Sequence, residues 1–350
     1  MLRNSMKKIL FSVTALFAVV SLVAAGCSDD NDNENVSSAD KPSIVVTTNI
    51  LGDVVSNMVG DSFNVEVIMP PGSDPHDFQA SAQQVEKMMS ADLLIVNGAN
   101  FEEGMLSVIE SAEADGVMVF EAISVVSQLE GSDDHGHDDH EGHDDHDDHE
   151  GHDDHDDHEG HDDHDDHEGH DHGGIDPHFF TDPARMAVVV EELSEFLVAN
   201  FPNVDQGFVS TANDYAQELI DLDEEVNEIL SEIPQEGKVL VTNHAVFAYF
   251  ADSYGFEILG EIIPSASTLS SANAQQLASL ADELSSNSVK AIFADASASD
   301  TLARTLAAEV GGIEVITLFT ESLGEPGSSG ANYIEMVKFN AQAIASGLVG

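Results

Sequence analysis

Histidine is the residue type in this sequence whose number and placement could support chemistry. The chain has 17 histidines, of which 14 lie in the segment 133–172 and three stand apart at His76, His178 and His244. These three lie at or beyond the ends of short apolar runs. Because ligands of open α/β sheets bind outside the carboxyl ends of the strands, we expect the three imidazoles to converge on one crevice.

Three converging imidazoles would form most of a metal site. Imidazole suits zinc, copper, iron and nickel, and one carboxylate completes a tetrahedral zinc shell. Glu321 follows the run that ends at Phe319 and is the first candidate for that carboxylate. Asp295, at the end of another run, is the reserve candidate, and a water molecule is a third possibility. Each histidine taken alone could be an ordinary hydrogen-bonded residue, so their convergence carries the prediction.

Eight short runs rich in β-branched residues predict the strands that position these side chains. Helical spacing separates successive runs, and the segments 183–200 and 205–232 predict helices between the two sets. Four runs on each side predict an α/β fold with two (βα)4-type lobes, one long rigid connecting helix and a metal site in the crevice between the lobes. The runs cover residues 43–50, 63–70, 91–98, 116–122, 238–244, 256–262, 289–295 and 312–319.

The N-terminus has the pattern of a secretory signal peptide, with early basic residues, an apolar stretch over 9–23 and small residues before Cys27. The stretch is shorter than the ~20 residues that a membrane-spanning helix needs. The sequence AAGC at 24–27 resembles a bacterial lipoprotein processing box, which implies that Cys27 is lipidated. We therefore expect an exported protein, lipid-anchored at the outer face of a bacterial membrane, in the periplasm or at the cell surface. A buried N-terminal helix and a free exported thiol are the alternatives.

The histidine-rich segment 133–172 contains 21 carboxylates and no basic residue, and the nonapeptide HDDHDDHEG repeats three times over 143–169. It has no apolar residue to bury, so it predicts a disordered surface loop. Its alternation of His with Asp would offer many weak metal sites; the alternative is a solvated charge run that keeps the loop extended. The auxiliary candidates are His135, His137, His140, His143, His146, His149, His152, His155, His158, His161, His164, His167, His170 and His172.

Composition excludes several classes of partner. The net charge of −57 repels phosphate backbones, which argues against nucleic acid. One cysteine permits no intrachain disulfide, and the sequence, with no Trp and four Tyr, offers no exposed aromatic cluster for a protein-binding hot spot. We expect a monomer. The predicted domains are a signal peptide (1–26), a lipid-anchored flexible tether (27–42), an N-terminal lobe (43–204) that includes the disordered loop (132–174), the connecting helix (205–232) and a C-terminal lobe (233–350).

Four segments together resemble the zinc and manganese solute-binding proteins of bacterial ABC importers, over residues 43–350. They are PGSDPHDFQAS at 71–81, DPHFFTDP at 176–183, KVLVTNHAVFAYFADSYGF at 238–256 and LFTES at 318–322. The resemblance implies that His76, His178, His244 and Glu321 are the metal ligands, with Glu321 where the family commonly has aspartate. It also implies two α/β lobes around the metal, and a His-rich insertion before the second segment favours zinc.

These observations predict an extracytoplasmic protein that captures Zn²⁺ and delivers it to the permease of an ABC importer, without catalysis. Binding requires neutral imidazoles, so affinity should fall as the pH drops through about 6.5. Manganese, or both metals, is the alternative cargo. An exported zinc enzyme is a second class, although the sequence has no HExxH motif. A surface metal store or an adhesin acting in cell adhesion is a third.

Overall fold

A computed structural model describes residues 41–131 and 174–349. In these ranges the strands form two sheets of four parallel strands each. The first sheet has the order β2-β1-β3-β4, and its central strands β1 and β3 are almost fully buried. The strands of this sheet are β1 (Ser43–Val46), β2 (Asn64–Val67), β3 (Leu93–Val96) and β4 (Met118–Glu121).

Helices cover both faces of the first sheet, which is why its central strands β1 and β3 are nearly continuous apolar runs. Ile44 and Val46 of β1 face one cluster of buried side chains, whereas Val45 between them faces another. Local capping fixes where the helices begin: the Thr48 side chain accepts a hydrogen bond from Leu51 N. The helices of this lobe are α1 (Asn49–Val59), α2 (Ala82–Met89) and α3 (Leu106–Ala114).

The second sheet repeats the strand order of the first, as β6-β5-β7-β8. Its strands are β5 (Val239–His244), β6 (Glu257–Ile263), β7 (Ala291–Asp295) and β8 (Glu314–Leu318), and the helices of this lobe are α6 (Ala248–Tyr254), α7 (Ala274–Asn287), α8 (Thr301–Val310) and α9 (Tyr333–Val349). Parallel strands point their carboxyl ends the same way, so the loops after β5 and β8 leave from one edge of this sheet.

Two helices lie between the sheets in the chain, α4 (Pro183–Asn200) and α5 (Phe208–Leu230). Asp182 caps α4 by accepting from two backbone amides of its first turn, and Pro183 occupies the first helical position. The buried side chains of α5 recur on one face, from Phe208 through Leu219 to Leu230. This face packs along α4 and contacts α1 of the first lobe and α9 of the second, so one core cluster includes side chains of both sheets.

The predicted fold class, two parallel α/β lobes, is confirmed. In the first lobe each observed strand is shorter than its apolar run because the end of the run already belongs to the following loop or helix; the run 43–50, for example, leaves the sheet after Val46 to reach the cap of α1. In the second lobe β5 and β7 end where their runs end, and β6 ends one residue beyond its run. None of the helices in the described ranges has both the length and the apolarity needed to cross a bilayer. The predicted signal peptide and nearly all of the tether and of the His-rich loop lie outside the described residues, and the domain boundaries stay a prediction.

Candidate metal centre

Four side chains from distant parts of the chain meet between the two sheets. His76, His178, His244 and Glu321 each offer one nitrogen or oxygen atom, and these four atoms lie within 4.8 Å of one another. All four side chains are buried, with at most 2% of any residue exposed. The reserve candidate Asp295 is not part of this group. The structure therefore brings together the four residues that the sequence singled out first.

The two histidines of the first lobe are positioned by the same local device. In each Asp-Pro-His triplet the aspartate accepts a hydrogen bond from the backbone N–H of the histidine: Asp74 Oδ1 from His76 at 3.0 Å, and Asp176 Oδ1 from His178 at 2.8 Å. The intervening proline fixes one backbone angle of the turn. The sequence DPH thus prescribes the loop conformation that turns each imidazole inward.

The second lobe supplies one candidate ligand from a strand end and one from a loop. His244 is the last residue of β5, and Glu321 follows the end of β8. Asp295, at the end of β7, instead accepts hydrogen bonds from the Thr320 hydroxyl and from Ser297. Its carboxylate therefore braces the residue before Glu321 and lies outside the ligand cluster.

The three imidazoles differ in the hydrogen-bond partner of the outer ring nitrogen, Nδ1. His76 Nδ1 lies 3.0 Å from Glu103 Oε1, and His178 Nδ1 lies 2.8 Å from Asp176 Oδ1. His244 Nδ1 is buried and has no hydrogen-bond partner among the described residues. Sequence reasoning assigned no role to Glu103 or Asp176. The DPH triplet is a usable signal for Asp176, whereas Glu103 reaches His76 only through the tertiary fold.

The inner ring nitrogens, the Nε2 atoms of the three imidazoles, face the Glu321 carboxylate. Its oxygens lie 2.7 Å from His244 Nε2, 3.3 Å from His178 Nε2 and 3.6 Å from His76 Nε2. The Nε2 atoms of His76 and His178 and one oxygen of Glu321 are buried without a hydrogen-bond partner. Buried polar atoms are normally satisfied, so unpaired nitrogen and oxygen atoms that face one another, each with a lone pair to offer, fit a site completed by a cation.

The charges in the cluster are strongly coupled. Burial alone lowers the pKa of His76, but the neighbouring carboxylates of Glu103 and Glu321 outweigh burial and raise this pKa to about 10. Burial likewise lowers the pKa of His178, and the charges of Glu321 and Asp176 raise it to about 9. Burial raises the pKa of Glu321, but the charges of His178 and His244 hold it well below its ordinary value. Without a metal the cluster therefore retains protons that a divalent cation must displace.

The lobes are hydrogen-bonded to each other beside the ligands. Ser322, next to Glu321, accepts from the Asn49 side chain and from Gly72 N, each at 2.8 Å. On the other side of the cluster, the Thr268 hydroxyl donates to Asp74 Oδ2 at 2.7 Å. These contacts join the two lobes next to the four candidate ligands.

The profile of a protein family described as the periplasmic zinc-uptake complex component A, ZnuA, matches residues 44–347. The chain belongs to the ZnuA family. The manganese ABC transporter substrate-binding lipoprotein PsaA of Streptococcus anginosus is 26% identical to this ZnuA-family chain over 356 residues, covering 98% of this chain and 99% of PsaA. The manganese-binding lipoprotein MntA of Halalkalibacterium halodurans is 26% identical over 344 residues, with the same coverage of the two chains.

Solved structures show the same architecture. The periplasmic zinc-binding protein TroA of Treponema pallidum superposes with a TM-score of 0.71 at 26% identity, covering 88% of this ZnuA-family chain and 99% of TroA. A manganese-bound periplasmic metal-binding protein of Candidatus Liberibacter asiaticus gives a TM-score of 0.70 at 18% identity, covering 88% of this chain and all (100%) of that one, a likeness of fold alone.

This ZnuA-family protein is a metal substrate-binding protein of an ABC transporter and not an enzyme. The predicted family resemblance and function class are thereby confirmed. Cys27 and the 14 histidines of the segment 133–172 lie outside the described residues.

Proposed function

We propose that this protein captures Zn²⁺ outside the cytoplasmic membrane and delivers it, as a monomer, to the permease of an ABC importer. His76, His178, His244 and Glu321 are the proposed ligands. The observation that carries the proposal is the buried cluster of three imidazoles and one carboxylate. Such a nitrogen-rich set suits zinc better than manganese, which prefers oxygen donors.

Four protein ligands also suit a carrier. A catalytic zinc site keeps one position open for water, whereas this cluster fills each tetrahedral position with a side chain. The metal is thus cargo, held out of solvent until the lobes separate at the transporter.

Manganese is the second candidate cargo, and a specific observation favours it. PsaA and MntA, which align over nearly the whole chain, are both named for manganese. TroA, at the same identity, is described as zinc-binding. The relatives therefore leave the cargo open, and the donor set supports the proposal of zinc.

The test is a titration of the mature protein with Zn²⁺ and with Mn²⁺ against a competing chelator that strips weak sites. We expect one chelator-resistant zinc site and manganese affinity at least about tenfold weaker. Glu321→Gln should weaken zinc binding by roughly 100-fold, because the zinc ion loses its one anionic ligand. The matched control, Glu325→Gln, alters an exposed carboxylate of the same loop and should bind normally. Manganese binding as tight as zinc binding would overturn the choice of cargo.

We also propose that Cys27 carries the lipid that anchors the protein at the outer face of the membrane, with residues 28–41 as the tether. The names of PsaA and MntA as lipoproteins support this. Cys27→Ser should move the protein from the membrane fraction to the soluble fraction without changing zinc affinity. A protein that stays membrane-bound after this substitution would contradict the anchor.

The histidines of the segment 133–172 are proposed as auxiliary weak sites that gather zinc. Deleting the segment should lower the total zinc bound and leave the tight site intact, since all four proposed ligands lie outside it. A variant with its 14 histidines replaced by asparagine keeps the length and the carboxylates. If that variant supports growth on scarce zinc as well as the wild type, the segment is only a charged spacer.

A further inference from the structure

The outer nitrogens of the three imidazoles reveal that the two lobes hold their ligands differently. The first-lobe histidines, His76 and His178, each direct Nδ1 at a carboxylate, Glu103 at 3.0 Å and Asp176 at 2.8 Å. In the second lobe, His244 Nδ1 has no partner among the described residues, and its Nε2 bonds to Glu321, another ligand of the same lobe.

A carboxylate behind an imidazole has a defined effect on metal binding. An Nδ1–H that donates to it fixes the tautomer, leaves Nε2 for the metal, and holds the plane of the ring. His76 and His178 are therefore oriented before a metal arrives. Within the described part of the chain His244 has no such acceptor, and metal binding would replace the side-chain hydrogen bond that it makes with Glu321.

A buried frame holds Glu103 in place. The preceding Glu102 is 1% exposed, and its carboxylate accepts from the Thr47 hydroxyl at 2.6 Å and from Asn97 N at 2.7 Å. The following Gly104 lies so close to the loop of His76 that an added Cβ would stand 2.3 Å from the Phe78 carbonyl oxygen. Glu103 is thus fixed on both sides against the loop that carries its histidine.

The same frame reaches the second histidine. The Asn97 side chain donates to the Pro177 carbonyl at 2.9 Å, next to His178. The ring of Phe101 meets both imidazoles edge-on, with centroids 5.2 Å from His76 and 5.5 Å from His178. One short segment, Phe101–Gly104, therefore packs against both first-lobe ligands.

We propose that His76 and His178 form a preformed half-site in which Glu103 and Asp176 are positioning residues, and that His244 and Glu321 complete the site after the metal has been captured. This inference rests on the proposed ligand set. Glu103 touches no metal; it acts through His76.

The experiment compares Glu103→Ala with Glu103→Gln in the full-length mature protein, by Zn²⁺ titration against a chelator. Removing the acceptor in Glu103→Ala should weaken zinc binding about 10–100-fold. Glu103→Gln keeps an oxygen that accepts from Nδ1–H, so it should recover most of the loss. Glu110→Ala, at an exposed position of α3, is the matched control and should bind as the wild type does. The melting temperature of the metal-free variants separates positioning from damage to the fold.

A second comparison, which leaves Glu103 unchanged, tests whether the first-lobe half of the site binds zinc without the second-lobe half. His244→Ala should retain weak zinc binding at the half-site, and His76→Ala should bind zinc more weakly still. The absorption spectrum of bound Co²⁺ reports whether the remaining ligands keep an ordered shell. Wild-type affinity in Glu103→Ala, or equal losses in His244→Ala and His76→Ala, would overturn the inference. Failure of the wild type to bind zinc tightly would instead overturn the proposed function.

Discussion

Protons compete with the metal at individual imidazoles, and the neighbouring carboxylates set the pH of that competition. The sequence alone predicted the competition near the ordinary histidine pKa of about 6.5. In the folded protein, burial lowers the pKa values of His76 and His178, but the carboxylates around them raise these values to about 10 and about 9. Both imidazoles are therefore protonated at neutral pH in the metal-free protein.

This protonation predicts the direction of the pH dependence. Zinc needs the deprotonated Nε2 of both rings, so binding near pH 7 should release up to about two protons, and apparent affinity should keep rising as the pH increases toward 9. Calorimetry in buffers of different ionisation enthalpy measures the number of protons released. Zinc affinity that stays flat between pH 7 and 9, with no proton release, would contradict these pKa directions.

The residues that the sequence identified are those whose signal is local. His76, His244 and Glu321 follow or end a strand, and His178 lies in the second Asp-Pro-His triplet, so the rule of strand ends and the resemblance of these segments to metal solute-binding proteins together grouped them. Asp295 satisfies the same rule and yet lies outside the cluster, because the Thr320 hydroxyl and Ser297 occupy its oxygens. No sequence rule reports such local competition for a carboxylate.

Among the elements, helices with explicit caps were the most predictable. The helix predicted over 183–200 is found at Pro183–Asn200, because Asp182 and Pro183 mark its start. Strand ends were less predictable in the first lobe, where each apolar run continues past its strand into the next loop or helix, than at β5 and β7, where run and strand end together. The Glu103–His76 contact joins residues 27 positions apart and depends on how a short 3₁₀ helix sits against a loop, which periodicity does not encode.

The buried face of helix α5 should contribute to the stability of the folded protein. Leu219 is fully buried on the face of α5 that joins the lobes, and Ile220 beside it is 37% exposed. Leu219→Ala should lower the free energy of unfolding by about 2–5 kcal/mol, because it leaves a cavity in the shared core. Ile220→Ala is the matched control and should cost well under half as much.

Chemical denaturation of the metal-free protein measures both variants. Zinc affinity should change little in either, since no ligand lies on α5. Equal destabilisation by the two substitutions would show that the buried face does not carry the packing inferred for it.

In the whole molecule, hydrogen bonds between the lobes should control how long the metal stays bound. The bond from Thr268 to Asp74 spans the lobes two residues from His76. Thr268→Val keeps the shape of the side chain and removes the hydroxyl, so zinc release should accelerate about fivefold for the loss of ~1 kcal/mol.

Stopped-flow transfer of zinc to a chelator measures this rate. Thr305→Val is the control, because the Thr305 hydroxyl bonds only within α8. An unchanged release rate in Thr268→Val would mean that the lobes separate without breaking this contact, or that separation does not limit release.

The central claim is that one metal ion is held between the lobes by three imidazoles and one carboxylate. Anomalous scattering at the zinc edge, from crystals of the zinc-loaded mature protein, tests it most directly. We expect one strong anomalous peak in the cluster, about 2.0–2.2 Å from Nε2 of His76, His178 and His244 and from a Glu321 oxygen. A peak at other residues, or a water molecule in the place of Glu321, would contradict it.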